Sequence, residues 1–172
     1  MAYAVSWVAA VVNTRSRRSE GLAFAALAAV YLLYVPDVQL VLDDWWLFQK
    51  FARAGDWREM AASLVQNRLW GSFRTNGLSF LGVYGLWGLA GARPAVYFVV
   101  AVGLQGLVGY LLYRTLARLG VGSAVATAAG ALFVVLPTAH NPVFWFPSCA
   151  HYLFSAVWLL LYLYSVAGTV AG

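Results

Sequence analysis

Long apolar runs, separated by short polar stretches, dominate the chain. Four of them approach the roughly 20 residues that a helix needs to cross a bilayer: 21–42, 94–113, 121–139 and 150–170. Asp37 and Gln39 fall near the far end of the first run, where polar groups cost least. Pro36 is expected to kink or end the regular helix there. Two further apolar stretches are too short to span. Residues 1–12, "MAYAVSWVAAVV", lack the basic start of a signal peptide. They belong to a cytoplasmic or interfacial N-terminal segment, 1–20. Residues 77–91, "GLSFLGVYGLWGLAG", are short and glycine-rich and read as a re-entrant or surface-lying helix.

Between the first and second spans the pattern changes from continuous to amphipathic. "DWRE", 56–59, has the form of a capping box: Asp56 caps a helix start and Glu59 reaches back to it. Trp57, Met60, Ala61, Leu64 and Val65 then repeat at the spacing of one helical face. This predicts a helix over 57–66 lying along the bilayer plane. "DWWLFQKFARA", 44–54, is suited to a second such helix. The loop 43–93 therefore reads as a structured platform resting on the membrane.

Composition agrees with the pattern. The 172 residues are 63% hydrophobic and 10% charged, with a mean hydropathy of +0.75; a soluble domain carries about 25% charged residues. The expected class is an all-α, multi-pass integral membrane protein with about four spans. The net charge of +5 does not imply a nucleic-acid partner, because the arginines flank apolar runs, where the positive-inside rule places them. Arg15, Arg17 and Arg18 precede the first span, and Arg114 and Arg118 follow the second. Both groups share the cytoplasmic side if 77–91 does not cross, giving four spans with both ends inside. Lys50, Arg53, Arg58, Arg68 and Arg74 then lie in an outer loop, against the rule, and need a reason of their own. Cys149 is the only cysteine, so no intramolecular disulfide forms.

The candidate chemistry sits in "VLDDWWLFQKF", 41–51. Asp43 and Asp44 have a structural reading: they end a span, start the next helix and complement its positive N-terminal dipole. Trp45 and Trp46 would then lie in the aromatic belt. One carboxylate would suffice for that. Two adjacent carboxylates repel, so one tends to keep a proton longer than usual, which suits a general base. Arg68, Arg74 and Arg93 fall on the same proposed side and suit a phosphate, or snorkel to lipid headgroups. His140 and His151 flank "NPVFWFPSCA" in the second outer loop; His140 is a candidate for phosphate or metal binding, or for holding the loop. No zinc-protease, Walker or nucleophile-elbow motif occurs.

The order of these features resembles the N-terminal part of the GT-C membrane glycosyltransferases, such as protein O-mannosyltransferases and aminoarabinose transferases. In that family an acidic pair follows the first helix on the outer face, and interfacial helices come next. "LWGLAGARPAVYFVVAVGLQGLVGYLLYRTLARLG", 86–120, is similar to the family's entry into the second span. "ALFVVLPTAHNPVFWFPSCAHYLFSAVWLLLYLY", 131–164, is similar to its next hairpin. The resemblance implies sugar transfer from a polyprenyl-phosphate carrier to a lipid, glycan or protein acceptor outside the cytoplasm. It implies Asp43 as base, with Asp44 orienting it or helping to bind metal or acceptor. It gives Arg68, Arg74, Arg93 and His140 the departing phosphate. A divalent metal is compatible with it, and the requirement stays open. The implied location is a cell membrane, the bacterial inner one, with membrane lipids around the spans.

Family members are several hundred residues long, so the chain is expected to be a fragment of a longer protein, with its isolated activity in doubt. The competing reading is a non-enzymatic four-helix membrane subunit, a transporter or assembly partner. "GLQGLVG", 103–109, offers small residues for close helix packing under either reading.

Overall fold

The computed structural model describes residues 18–37, 42–65, 77–136 and 146–170. Among them every regular element is helical. Helix α1 covers 18–29 and tightens into a 3-10 segment, Val30–Asp37. Then come α2 (Leu42–Arg53), α3 (Trp57–Val65), α4 (Gly77–Ala90), α5 (Pro94–Arg118), α6 (Ser123–Val135) and α7 (Phe146–Val170). Among the described residues two helical segments, Pro94–Arg118 and Tyr152–Thr169, are long and apolar enough to cross a membrane.

The expected boundaries shift at several points. The first run changes winding at Val30, before Pro36, and Leu42 already belongs to α2. Helix α5 runs past Tyr113 to Arg118, and the arginines of its last two turns find aromatic partners. Arg114 donates to the hydroxyls of Tyr110, at 2.8 Å, and Tyr164, at 3.2 Å. Arg118 stacks over the Tyr164 ring, 4.5 Å from its centroid. Helix α6 ends at Val135 rather than 139, two residues before a proline that cannot continue it. Helix α7 begins at Phe146 instead of 150, with Pro147 in the first turn, where its missing N–H costs nothing.

Helix α5 is the centre of the molecule, packed by α6, α7 and the first helix. The close approach is made by glycines. A Cβ on Gly130 would stand 2.6 Å from the Gly109 carbonyl oxygen and 2.9 Å from the Phe24 ring, so α1, α5 and α6 touch there almost backbone to backbone. Gly106 meets Ala28 in the same seam. The pairings fix helix directions. Phe24 lies against Tyr110 and Tyr113, and Ala28 against Gly106, so α1 and α5 run antiparallel. Gly109 faces Gly130, and Gln105 faces Phe133, so α5 and α6 also run antiparallel. Thr115 faces Leu160, and Arg118 lies against Gly168, so α5 and α7 run parallel.

Two long-range hydrogen bonds close the end of α6. A carbonyl four residues before a proline has no helical donor, and for Phe133 that proline is Pro137. The fully buried Gln105 supplies the donor: its Nε2 reaches the Phe133 carbonyl at 3.2 Å. The Tyr31 hydroxyl donates to the next carbonyl, Val134, at 2.7 Å.

Candidate functional site

Helix α2 carries the acidic pair as its second and third residues. The backbone amides of a helix start favour negative charge nearby. One turn later the helix is anchored. Leu47, Phe48 and Phe51 are each only 2% exposed, while Gln49, Ala52 and Arg53 face outward. Phe48 stacks on Trp87 of α4, with centroids 4.7 Å apart, and packs against Tyr97 of α5 at 5.2 Å. Phe51 meets Tyr84 edge-on at 5.4 Å. Trp45 meets Phe48 edge-on and stays half exposed.

This corrects the expected platform. The apolar side of α2 is covered by α4, α5 and α7 and is not left for lipid. Its spacing encodes a buried face, and aromatic rings some 40 residues downstream occupy it. In α3 the expected helix is present. The Asp56 carboxylate accepts from the amides of Arg58, at 2.7 Å, and Glu59, at 2.8 Å. The reciprocal half of the capping box is not made: the Asp56 amide donates to the Ala54 carbonyl at 2.6 Å. Glu59 instead folds over Gly55, which turns the chain at φ +65 and leaves room for it. Met60 is buried, while Trp57 is 64% exposed with the Arg58 guanidinium 5.5 Å from its ring centroid. A cleft of about 550 Å³ opens between this turn and α4, lined by Phe51, Trp57, Tyr84 and Trp87.

Arg93 is the N-cap residue of α5 and is exposed. Its turn is tied to the same aromatic cluster, because the Tyr97 hydroxyl donates to the Gly91 carbonyl at 2.6 Å. A continuous path of contacts, Phe48 to Tyr97 to Gly91, therefore joins α2 to the Arg93 turn. Arg68, Arg74 and His140 lie outside the described residues. For Asp43, Asp44 and His151 the description covers the backbone: the pair starts α2, and His151 lies in the second turn of α7. Among the described residues no group of three His, Cys, Asp or Glu side chains could hold a metal ion.

The sequence reading missed the aromatic cluster and the Gln105–Tyr31 closure of α6. Pro137 was the available signal for the second: it leaves a carbonyl without a donor, and Gln105 is a polar side chain in the middle of an apolar run. Among the described residues the structure is all-helical, with two helices long and apolar enough to cross a membrane. Comparison of the chain with protein-family models, curated proteins and solved structures finds no match.

Proposed function

We propose that this chain is the catalytic-loop end of a multi-pass membrane glycosyltransferase that takes a sugar from a polyprenyl-phosphate carrier. The observation that carries the reading is the acidic pair at the start of α2, a helix fixed by buried aromatic packing beside the Arg93 turn. In the proposed reaction Asp43 accepts the proton of an acceptor hydroxyl as that oxygen attacks the anomeric carbon. The carbon–oxygen bond to the lipid phosphate breaks, and the phosphate leaves with the bonding electrons. Asp44 orients the base or the acceptor. Arg93, with Arg68, Arg74 and His140, stabilises the departing charge.

The proposed topology has four spans. The first helix and its 3-10 continuation supply about 18 Å and about 16 Å of rise, enough for a hydrocarbon core of about 30 Å. Helices α4, with 14 residues, and α6, with 13, are each about 20 Å long, so helix direction rather than length leaves α4 on the surface and assigns a crossing to α6. The antiparallel course of α1 and α5 supports this, since a crossing α4 would make them parallel. Helix α7 presents Trp158, Leu159 and Tyr162 outward, each more than half exposed, as a face for lipid.

The position of the pair also favours the competing reading, a non-enzymatic membrane subunit in which both residues serve the helix start. One experiment separates the two. In membranes holding the full-length protein, transfer of labelled sugar from a polyprenyl-phosphate donor is measured for Asp43→Asn and Asp44→Asn. Loss of roughly 10²–10⁴-fold for Asp43→Asn, at unchanged expression, is expected of a lost general base. Transfer above about a tenth of wild type in both variants would leave the pair as a helix boundary.

A further inference from the structure

An open groove of about 460 Å³ runs between α1 and α5. Gly21, Ala25 and Ala29 form its floor on α1, and Val99, Gly103 and Tyr110 flank it on α5. Small residues alone would allow any apolar filler. The two ends of the groove differ, however. At the Leu32–Val99 end the lining is purely apolar. At the other end Arg18 lies one turn before Gly21, three and seven residues ahead of the floor positions Gly21 and Ala25, and therefore on the same helix face. It is exposed. Across the groove the Tyr110 hydroxyl is held by Arg114 at 2.8 Å. The acidic neighbour, Glu20, is directed away, toward Tyr113, with which it shares a hydrogen bond. Among the described residues the groove is thus an apolar trough, roughly 17 Å from Gly21 to Leu32, with positive charge at one end only.

We infer that this groove holds one acyl chain of an anionic phospholipid, with the phosphate beside Arg18 and Arg114. A basic site between helices at the cytoplasmic surface is the arrangement that captures anionic headgroups. A zwitterionic lipid gains the apolar contact and not the charge, and an incoming helix would leave Arg18 without an anion. The inference rests on the membrane topology proposed above and is independent of sugar transfer.

The test uses the full chain reconstituted in vesicles containing a phospholipid with a photoreactive acyl chain, either phosphatidylglycerol or phosphatidylcholine. Labelled peptides are mapped by mass spectrometry. Phosphatidylglycerol is expected to label 18–33 and 99–110 at least fivefold more than phosphatidylcholine. Gly103→Leu projects a side chain into the groove, where a Cβ meets nothing within 4 Å. It should abolish that labelling, and Arg18→Gln should bring it down to the phosphatidylcholine level. Asp43→Asn should leave it unchanged. Equal labelling by the two lipids, or labelling that survives Gly103→Leu, overturns the inference. Labelling of the outward face of α7 with none in the groove also overturns it and shows that a helix fills the space. Absence of labelling on both overturns the membrane topology itself.

Discussion

A single proline organises the middle of the molecule. Pro137 deprives the Phe133 carbonyl of its helical donor, and Gln105 replaces that donor from the neighbouring helix. Tyr31 does the same for Val134. The two bonds differ in worth. Tyr31 donates its only proton well. Gln105 makes a longer bond and leaves its own Oε1 buried without a partner, which costs free energy of its own. Interhelical hydrogen bonds within a bilayer contribute about 0.6 kcal/mol on average and up to about 1.7 kcal/mol. Tyr31→Phe is therefore expected to destabilise by about 1–1.5 kcal/mol. Gln105→Leu, which removes an orphaned acceptor together with a long bond, should stay within about 0.5 kcal/mol of wild type. Equilibrium unfolding in mixed micelles measures both, and a larger loss for Gln105→Leu counts against this account. At this scale the sequence displayed the polar residue and the proline but not their pairing. They lie 32 positions apart and meet only because α5 and α6 run antiparallel.

Elements were more legible than their neighbours. The spacing in 44–54 marked one apolar face of α2, and the structure buries that face. Periodicity specifies a face without specifying what covers it, and here Trp87 and Tyr97 take the place expected for lipid. Phe48→Ala should cost about 3–5 kcal/mol, as for a well-packed core aromatic, whereas Trp57→Ala, at an exposed position, should cost less than about 1 kcal/mol. Thermal unfolding in detergent compares them, and similar losses would mean that α2 is not anchored by this cluster. The candidate site shows the same division. The acidic pair and Arg93 could be picked out by residue type, but the cluster that ties α2 to the Arg93 turn is assembled from three distant segments. The glycine seam was also visible as "GLQGLVG", yet its members are not equivalent. Gly130→Ala would drive a methyl into the Gly109 backbone and the Phe24 ring, with an expected loss of about 1–3 kcal/mol. Gly103→Ala opens onto free space and should be neutral or stabilising by up to about 1 kcal/mol. Equal effects in the same unfolding assay would remove the seam as the basis of α1–α5–α6 packing.

For the whole molecule the decisive quantity is helix direction. Arginine placement alone left the crossing of 77–91 to be inferred from charge bias. Contacts now add an independent reason, since 20 pairs with 113, 24 with 110 and 28 with 106. Under the proposed topology, a chain that leaves α1 at one end of the bundle and enters α5 at that same end crosses an even number of times between them, so α4, about as long as the crossing α6, does not cross alone. The start of α5, the α2 helix and Arg93 then share one side, and Arg114, Arg118 and the α5–α6 turn share the other. Single cysteines at Ser72 and Ser123, placed in a Cys149→Ser background, should react with a membrane-impermeant maleimide from opposite sides of sealed vesicles, position 72 from the extracytoplasmic side. Opposite sidedness would place the outer basic loop where a lipid-phosphate donor could meet it, and would give the arginines there the reason that charge bias alone withholds. Reaction of both positions from one side would require α4 or its flanks to cross. It would put the acidic pair and the Arg93 turn on opposite faces, despite the Phe48–Tyr97 contact that joins them, and the four-span proposal would fall with it.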